Sequence, residues 1–288
     1  MPLGFAKAIL GQTAVAGGDV GYWHQATAVN TGTPGNVCQE VTLGSANTDT
    51  AFTFACWFRF FSRTSGNDSS NVDDFDPDFQ ETELFRLGGG SSGSLIVSFH
   101  ENNGVQAMCF GISEGGGTTF STGSLSSNFR TDYCDDEWHH ILVQARFGTS
   151  TAQSKIYLDG VDKTTNSLGD TISLAGGVDH GAVMTFAGRS EDQVGTSSST
   201  DHYKENTGDI TQVYLELGST TNNIGNIDRF YDSGYVDMGT DGNDSGADTP
   251  EVFLYVNSTP AVVNGGSTGT LAASTTNTMT VSATGGPS

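Results

Sequence analysis

The sequence predicts an all-β protein built as an antiparallel jelly-roll sandwich. Segments with strand-like alternation of apolar and polar residues recur along the 288-residue chain, turn-forming residues separate them, and no helical period of useful length interrupts them. The composition agrees, because 39 glycines supply turns while only 11 residues are Lys or Arg, and helical proteins carry more Lys, Glu, Leu and Ala. The 17 phenylalanines are enough to fill a sandwich core.

The strand predictions rest on periodicity and on the turns that bound each apolar run. In residues 51–61, every second residue from Phe52 to Phe58 is apolar. Trp57 lies on the opposite face, which predicts a strand that is covered on both sides. Further strands are predicted at residues 83–87, 94–100, 105–112, 137–147, 154–158, 183–187 and 209–217.

The charge of the chain excludes some classes of partner. Its formal net charge is −22, and such a surface repels DNA and anionic membranes. The charge has two interpretations, either solubility in a crowded or salty medium or attraction to cations or to a basic partner. The N-terminus has no signal-peptide pattern and no apolar run has the length of a transmembrane helix, which predicts synthesis in the cytoplasm.

Four cysteines occur, and none of them forms a CxxC pair, which argues against a zinc site. Cys56 and Cys109 lie in strand-like runs and are predicted to be small buried apolar residues. The sequence leaves the pairing of Cys38, Cys56, Cys109 and Cys134 as disulfides open.

Three regions are predicted along the chain: an N-terminal arm (1–36), the sandwich domain (37–256) and a Ser/Thr-rich C-terminal tail (257–288). The tail has almost no large apolar residues, so by itself it buries too little surface to offset about 1–2 kcal/mol of backbone ordering per residue. We therefore expect a partner chain to hold it as an assembly element, by strand addition through residues 278–281. Its removal is then expected to leave a folded domain that no longer assembles.

Four segments resemble concanavalin A-like and laminin G-like domains. Residues 137–143 (EWHHILV) followed by 155–161 (KIYLDGV) resemble the family's WHH and YLDG motif. Residues 208–214 (GDITQVY) resemble a late strand of the family, and residues 52–58 (FTFACWF) resemble an early strand. The segments occur in the family's order across residues 40–217. The resemblance implies a concanavalin A-like jelly roll.

The WHH motif has a structural interpretation. Trp138 is predicted to begin a strand and to cover the end of the sandwich as a core residue, so that Trp138→Ala costs about 3–5 kcal/mol. His139 and His140 point to opposite faces of one strand and do not serve one site together.

A second resemblance follows the domain. Residues 226–230 (NIDRF), 234–242 (GYVDMGTDG) and 250–255 (PEVFLY) resemble a stretch that follows laminin G-like domains in tailed-phage virion proteins. Residues 3–10 (LGFAKAIL) resemble the start of such proteins. Tyr235 stands where that stretch often has Pro. The resemblance implies a structural protein of a phage particle.

The sequence predicts a protein that is not an enzyme. Glycoside hydrolases with this kind of fold place two carboxylates on one strand in an E-x-D-x-x-E pattern. Glu81 and Glu83 lie two residues apart without the rest of that pattern. Nucleophile-elbow, P-loop and zinc-protease motifs are also missing from the sequence.

No cofactor is predicted, and calcium is the one ion for which the sequence offers candidate ligands. Calcium takes six to eight oxygen ligands, and two loops are rich in carboxylates, although neither has an EF-hand pattern. Solvated loops are the favoured interpretation of both. The candidates are Asp73, Asp74, Asp76 and Asp78 in the first loop and Asp237 and Asp241 in the second.

Taken together, the residues and the two resemblances predict a phage virion structural protein on the particle surface, with capsid decoration or cement as the first assignment. The alternatives are a tail or fibre component, or a carbohydrate-binding, lectin-like adhesion domain. The predicted partners are capsid or tail proteins, further copies of the chain and a host-surface glycan, with no nucleic acid and no membrane.

Overall fold

The structure is a computed structural model, and it describes the body of the sandwich together with parts of both termini. The described residues are 20–25, 39–43, 47–60, 80–88, 94–102, 105–114, 117–124, 133, 135–146, 153–166, 178–180, 183–186, 208–218, 226–258, 261–272 and 280–287.

Almost all regular structure in these residues is β-strand, and a short 3₁₀ turn spans Ile227–Arg229. The strands are β1 (Tyr22–Gln25), β2 (Gln39–Thr42), β3 (Asn47–Asp49), β4 (Ala51–Phe60), β5 (Gln80–Gly88), β6 (Ser94–Asn102), β7 (Val105–Glu114), β8 (Gly117–Ser124), β9 (His139–Arg146), β10 (Gln153–Leu158), β11 (Val161–Asp162), β12 (Thr164–Asn166), β13 (Val178–His180), β14 (Val183–Phe186), β15 (Gly208–Gly218), β16 (Val252–Val256), β17 (Val262–Asn264), β18 (Thr270–Ala272) and β19 (Thr280–Ser282).

The described strands form two large antiparallel sheets and a two-stranded ribbon of β3 and β13. Sheet A has the order β11-β10-β9-β4-β15-β1-β19, with β16 also paired to β15 and β17 to β16. Sheet B has the order β12-β8-β7-β6-β5-β14-β2-β18. This confirms the predicted all-β jelly-roll sandwich, and each of the eight predicted strands is present with its ends shifted by three residues at most.

The main core lies between the two sheets and follows the predicted alternation. Phe52, Phe54 and Phe58 of β4 are fully buried on the inner face of sheet A. The ring of Phe85 from sheet B lies 5.6 Å from that of Phe52 and 4.7 Å from that of Phe54. Each such side chain contributes about 1.5–3 kcal/mol when it is fully buried.

Cys56 belongs to the same core as a buried free thiol, and burial raises its pKa. This confirms its predicted place among the apolar residues. Cys109 lies on β7, whereas Cys38 and Cys134 fall outside the described residues.

A bulge divides β15 into two halves. The register against β4 shifts between Thr211 and Tyr214, and Gln212 has a left-handed φ of 46°. The first half pairs with β1 and the second half with β16, both along the edge that faces away from β4. The bulge therefore lets two different segments of the chain share one edge of a central strand.

Residues 226–250 cover the outer face of sheet A and create a second core there. Phe230 is 1% exposed, and its ring lies 5.0 Å from that of Tyr214 at an angle of 80°. Met238 and Val236 are buried while Asp237 between them is exposed, which explains the alternation in the VDMG part of the motif. The buried members of this second core are Ala55, Leu142, Tyr157, Tyr214, Phe230, Met238, Ala247 and Phe253.

Two glycines in this layer make a matched test of its packing. Gly242 and Gly246 have φ values of 82° and 81°. A Cβ at Gly242 would lie 2.9 Å from carbons of Phe253 and Pro250, whereas a Cβ at Gly246 meets nothing within 4 Å. Both Ala variants incur the left-handed cost of about 1–2 kcal/mol, and we expect Gly242→Ala to cost about 1–3 kcal/mol more in urea unfolding. Equal losses of unfolding free energy in the two variants would contradict the close packing of Gly242 against Phe253 and Pro250.

The expected separation of arm and tail from the sandwich is wrong for their described parts. β1 lies inside sheet A between β15 and β19, and the tail contributes β17, β18 and β19 to the two sheets. The physical reason is that strands of the same domain supply hydrogen-bond partners for the backbone of the tail. Few apolar side chains are therefore needed to order it. Val262, Leu271 and Val281 pack against the main core while only partly buried. Removing residues 257–288 is now expected to destabilise the domain, and its effect on assembly stays a prediction.

In the described residues, no helix has both the length and the apolar character needed to cross a lipid bilayer.

Candidate functional site

The predicted calcium ligands gain no support from the described geometry. The loop at 73–78, with its four candidates, lies outside the described residues. Asp237 and Asp241 are exposed, and each accepts a backbone N–H from its own turn, Asp237 from Gly239 at 2.9 Å and Asp241 from Asn243 at 3.4 Å. Among the described residues, no three acidic, His or Cys side chains come together in a metal-binding group.

The WHH and YLDG segments meet through one carboxylate. Asp159 lies in the turn after β10 with φ 49°. Its Oδ1 accepts the backbone N–H of His140 at 2.8 Å, and its Oδ2 lies 2.8 Å from Nδ1 of His139. Asp135 lies 3.1 Å from Nε2 of the same imidazole. Burial alone would lower the pKa of His139, but hydrogen bonds and charge from the two carboxylates outweigh it and raise the pKa. Asp135, His139 and Asp159 therefore form a hydrogen-bonded, charged cluster that joins β9 to the turn after β10, and we call this cluster the clasp.

We expect Asp159→Asn to lower the free energy of unfolding by about 1.5–3 kcal/mol, the usual contribution of a hydrogen bond to a charged group. Asn tolerates the left-handed turn but lacks the charge. Because the folded pKa of His139 is raised, the stabilisation is complete below the unfolded value of about 6.5 and is lost as pH rises through the folded value. In urea unfolding, the difference in free energy between wild type and variant should therefore shrink in alkaline solution to the part that comes from the bond to the backbone N–H of His140.

Asp162→Asn is the matched control for this prediction. Asp162 pairs with Lys155 at 2.6 Å, but the side chains are 40% and 39% exposed. An exposed pair of this kind contributes about 0–1 kcal/mol. If Asp159→Asn costs no more than Asp162→Asn at every pH, the clasp does not stabilise the fold.

His140 points to the outer face of sheet A, as predicted from the alternation. It is 2% exposed and burial lowers its pKa to about 3, against a small opposing effect from Asp159. Its ring lies 5.1 Å from that of Trp57 and 5.6 Å from that of Tyr231. Among the described atoms its Nδ1 has no hydrogen-bond partner. His140 is therefore neutral near pH 7, and its ring packs as part of the aromatic layer on the outer face.

Two partly exposed tyrosines cover this pair of rings. Tyr231 and Tyr235 form an isolated β-bridge across a tight turn, and their rings lie 5.8 and 6.2 Å from that of Trp57. Nε2 of Gln212, on the bulge of β15, donates to the hydroxyl of Tyr235 at 2.5 Å. Tyr231 also lies directly over Gly160, where a Cβ would be 2.7 Å from its Cδ1. We call Trp57, His140, Tyr231 and Tyr235 the aromatic platform.

A second aromatic group continues this outer face toward the chain termini. Arg59 follows Trp57 by two residues and forms an ion pair with Asp209. Its guanidinium carbon lies 5.1 Å from the ring centre of Tyr22 and 4.9 Å from that of Trp138. Such contacts contribute about 0.5–2 kcal/mol according to their exposure. The cluster ties β1, β4 and β15 to the residue that precedes β9.

Trp138 itself does not lie in the core, which corrects the prediction. It is half-buried, it precedes β9 rather than belonging to it, and its indole nitrogen donates to the carbonyl of Gly285 at 3.2 Å. The physical reason is the alternation of β9, which directs position 138 to the outer face. The large core penalty expected for Trp138→Ala therefore does not apply.

We expect Trp138→Phe to cost about 0.5–1.5 kcal/mol, the net contribution of one hydrogen bond. The Phe ring preserves a surface for Arg59 but provides no donor for Gly285. Denaturant unfolding measures the loss. If Trp138→Phe lowered the free energy of unfolding by about 3–5 kcal/mol, the usual cost of truncating a buried Trp, Trp138 would have to be a core residue after all.

The sequence indicated part of this surface. The placement of Trp57 and His140 on the outer face follows from the period of two, and Arg59 continues the same face. The tyrosines were missed because their signal is a turn, YDSGY, in which Ser233 has φ 58°. Trp57 and His140 are buried beneath the two tyrosines, which are themselves partly exposed. Partly exposed rings with hydroxyl groups are suited to stacking on a ligand and to hydrogen bonding with it.

The strand order and the two-sheet core define the class of protein, an antiparallel jelly-roll β-sandwich. No protein family matches the sequence. The curated proteins contain no match either.

The chain is similar to several solved structures, three of which follow with the extent of the similarity. The heptameric SAP-like pentraxin from Limulus polyphemus is 10% identical, with a TM-score of 0.46 over 86% of this chain and 96% of that one. Mouse laminin α1 chain domains LG4-5 are 14% identical, with a TM-score of 0.37 over 64% of this chain and 43% of that one. The enzymatically active domain of bacteriophage CBA120 tailspike protein 2 is 13% identical, with a TM-score of 0.38 over 63% of this chain and 24% of that one.

Proposed function

We propose that the chain is a non-enzymatic structural subunit of a tailed-phage particle, first as a capsid decoration or cement protein on the particle surface and second as a tail or fibre component. The observation that carries the proposal is the fold of the stretch that resembles phage virion proteins. That stretch is the outer layer of sheet A with a core of its own, so the resemblance extends over an integral part of the domain. The charge of −22 supports a role facing solvent.

The roles of several described acids support a binding or structural protein over an enzyme. Asp209 forms an ion pair with Arg59, and Asp159 forms one with His139. Oε2 of Glu251 accepts the backbone N–H of Leu217 at 2.6 Å. These carboxylates hold strands together, whereas a glycosidase needs two carboxylates that face a substrate.

The test is to locate the protein in purified particles of the phage that encodes it. Mass spectrometry of the particles and gold-labelled antibody against the chain give presence and position. Labelling over the whole head supports decoration, and labelling of the tail supports the second assignment. Absence of the chain from mature particles contradicts both.

A carbohydrate-binding role is the second candidate, and the aromatic platform favours it. Two partly exposed tyrosine rings lie beside Trp57, Tyr231 stacked on it and Tyr235 tilted. They offer the flat apolar faces on which sugar rings pack. This role is compatible with the first, since a surface subunit of a particle is placed to contact host glycans.

A glycan array probed with the full chain tests this role, with and without a calcium chelator. We expect binding that Tyr231→Ala weakens by about tenfold or more, which is about 1.4 kcal/mol of lost contact. Val161→Ala is the control, because Val161 is 55% exposed on β11 and lies outside the platform. Glycan binding that survives Tyr231→Ala but is lost with the chelator would move the site to the acidic loops.

A further inference from the structure

The last described residues, 280–287, form a distinct docked segment that we call the latch. The N–H of Gly286 donates to the carbonyl of Val20 at 2.8 Å, and Trp138 donates to that of Gly285. The latch also contains β19, which pairs with β1 in the register Tyr22↔Ser282, Trp23↔Val281 and His24↔Thr280.

The surface that receives the latch selects a strand followed by Gly-Gly-Pro. Val281 packs against the main core and Pro287 is buried. A Cβ at Gly286 would lie 2.6 Å from the carbonyl oxygen of Val20, so a larger residue is excluded there. Backbone pairing supplies affinity, while the apolar side chain, the indole donor and the small residue supply selectivity, as in other cases of strand addition. The surface is therefore a peptide-binding edge.

The latch is a unit that a neighbouring molecule is able to supply. Seven residues, 273–279, join it to β18. Without it, β1 is the outermost strand at this end of sheet A and leaves unpaired backbone groups, the situation in which sheet edges pair with other chains. A latch from an identical chain makes the same contacts, so cis and trans docking differ chiefly in the connection and in the effective concentration.

We propose that this edge of sheet A is a docking site for the latch of a second copy of the chain, so that copies exchange latches and become linked. The inference goes beyond the proposed virion role and gives neighbouring subunits a means of attachment. It is tested on the purified chain alone, so its outcome is independent of whether the protein occurs in particles.

The first test traps the paired strands with a disulfide in the full-length chain. His24→Cys and Thr280→Cys are combined, because directly opposite residues of an antiparallel pair have Cβ atoms about 4.5–5.5 Å apart, close to disulfide geometry. We expect covalent dimers on a non-reducing gel, in a proportion that rises with protein concentration during folding. Each single variant controls for disulfides with native cysteines. Intrachain disulfide alone at every concentration overturns the proposal.

A second test uses the unmodified chain, so the proposal does not depend on the cysteine variant folding. Sedimentation velocity should show dimers that an excess of a synthetic peptide of residues 280–288 dissociates. The same peptide with Val281→Asp should act about tenfold less well or worse, since it introduces a charge where Val281 meets the core. A chain that stays monomeric at all concentrations, or dimers indifferent to the peptide, would show that the latch serves only its own molecule.

Discussion

Phe230→Ala is expected to lower the free energy of unfolding by about 3–5 kcal/mol, the usual cost of truncating a buried aromatic residue. Phe230 is 1% exposed in the second core and packs edge-on against Tyr214. The loss would make residues 226–250 part of the cooperative domain rather than a connector laid over it. Thermal or urea unfolding, followed by tryptophan fluorescence, gives the value.

The matched control is Asp232→Ala, an exposed position two residues further along the same segment. Surface changes of this kind usually stay within about 0.5 kcal/mol. If Phe230→Ala behaved like Asp232→Ala, the outer layer would be an appendage and the second core would contribute little to folding. A separate, earlier transition in the wild type would lead to the same conclusion.

His140→Phe is expected to remove a large part of the acid sensitivity of the fold. Burial holds the folded pKa of His140 at about 3, while the unfolded chain takes up the proton near pH 6.5. His140 therefore costs no stability above that pH, and its contribution falls by about 1.4 kcal/mol per pH unit as the pH drops toward 3. Phe preserves the ring between Trp57 and Tyr231 and does not titrate.

The measurement is the difference in unfolding free energy between wild type and His140→Phe across this pH range. Taking the difference cancels the carboxylates that titrate in both proteins. The backbone N–H of residue 140 still reaches Asp159 in the variant, so the clasp on His139 persists. A difference that is constant from neutral to acidic pH would mean that the imidazole is accessible to protons in the folded state.

The sandwich was predictable because its central strands carry their own apolar alternation. β4 and β15 are long and are rich in Phe, Ile, Leu and Val, so the buried face of each strand can be predicted from its own residues alone. The motif at 155–161 also predicted the hairpin correctly, and Asp159 takes the left-handed conformation that such a turn requires. These features depend on residues that are close together in the sequence, so the alternation of apolar and polar residues predicts them directly.

The terminal strands and the outer layer were not predictable in this way. β18 and β19 are three residues long, and their order comes from backbone pairing with β2 and β1, which are far away in sequence. A composition argument counts side chains and therefore overlooks that source of stability. The same limit applies to Trp138, whose large ring suggested the core although the alternation of β9 directs it outward.

The candidate site was half predictable for the same physical reason. Trp57 and His140 follow from strand alternation, whereas Tyr231 and Tyr235 reach them through a turn in the outer layer. The ion pair of Arg59 with Asp209 depends on the register of β4 against β15, and register is set by the whole sheet rather than by either segment.

The position of β1 between β15 and β19 also has a consequence for biosynthesis. Residues 22–25 are synthesised well before the strands on either side of them, which lie at 208–210 and 280–282. Pairing over such sequence separations is slow, and sheet A cannot close at this end until residues 280–282 have been synthesised. Until then β1 lacks both of its neighbouring strands, and the high negative charge of the chain opposes association between unfinished copies.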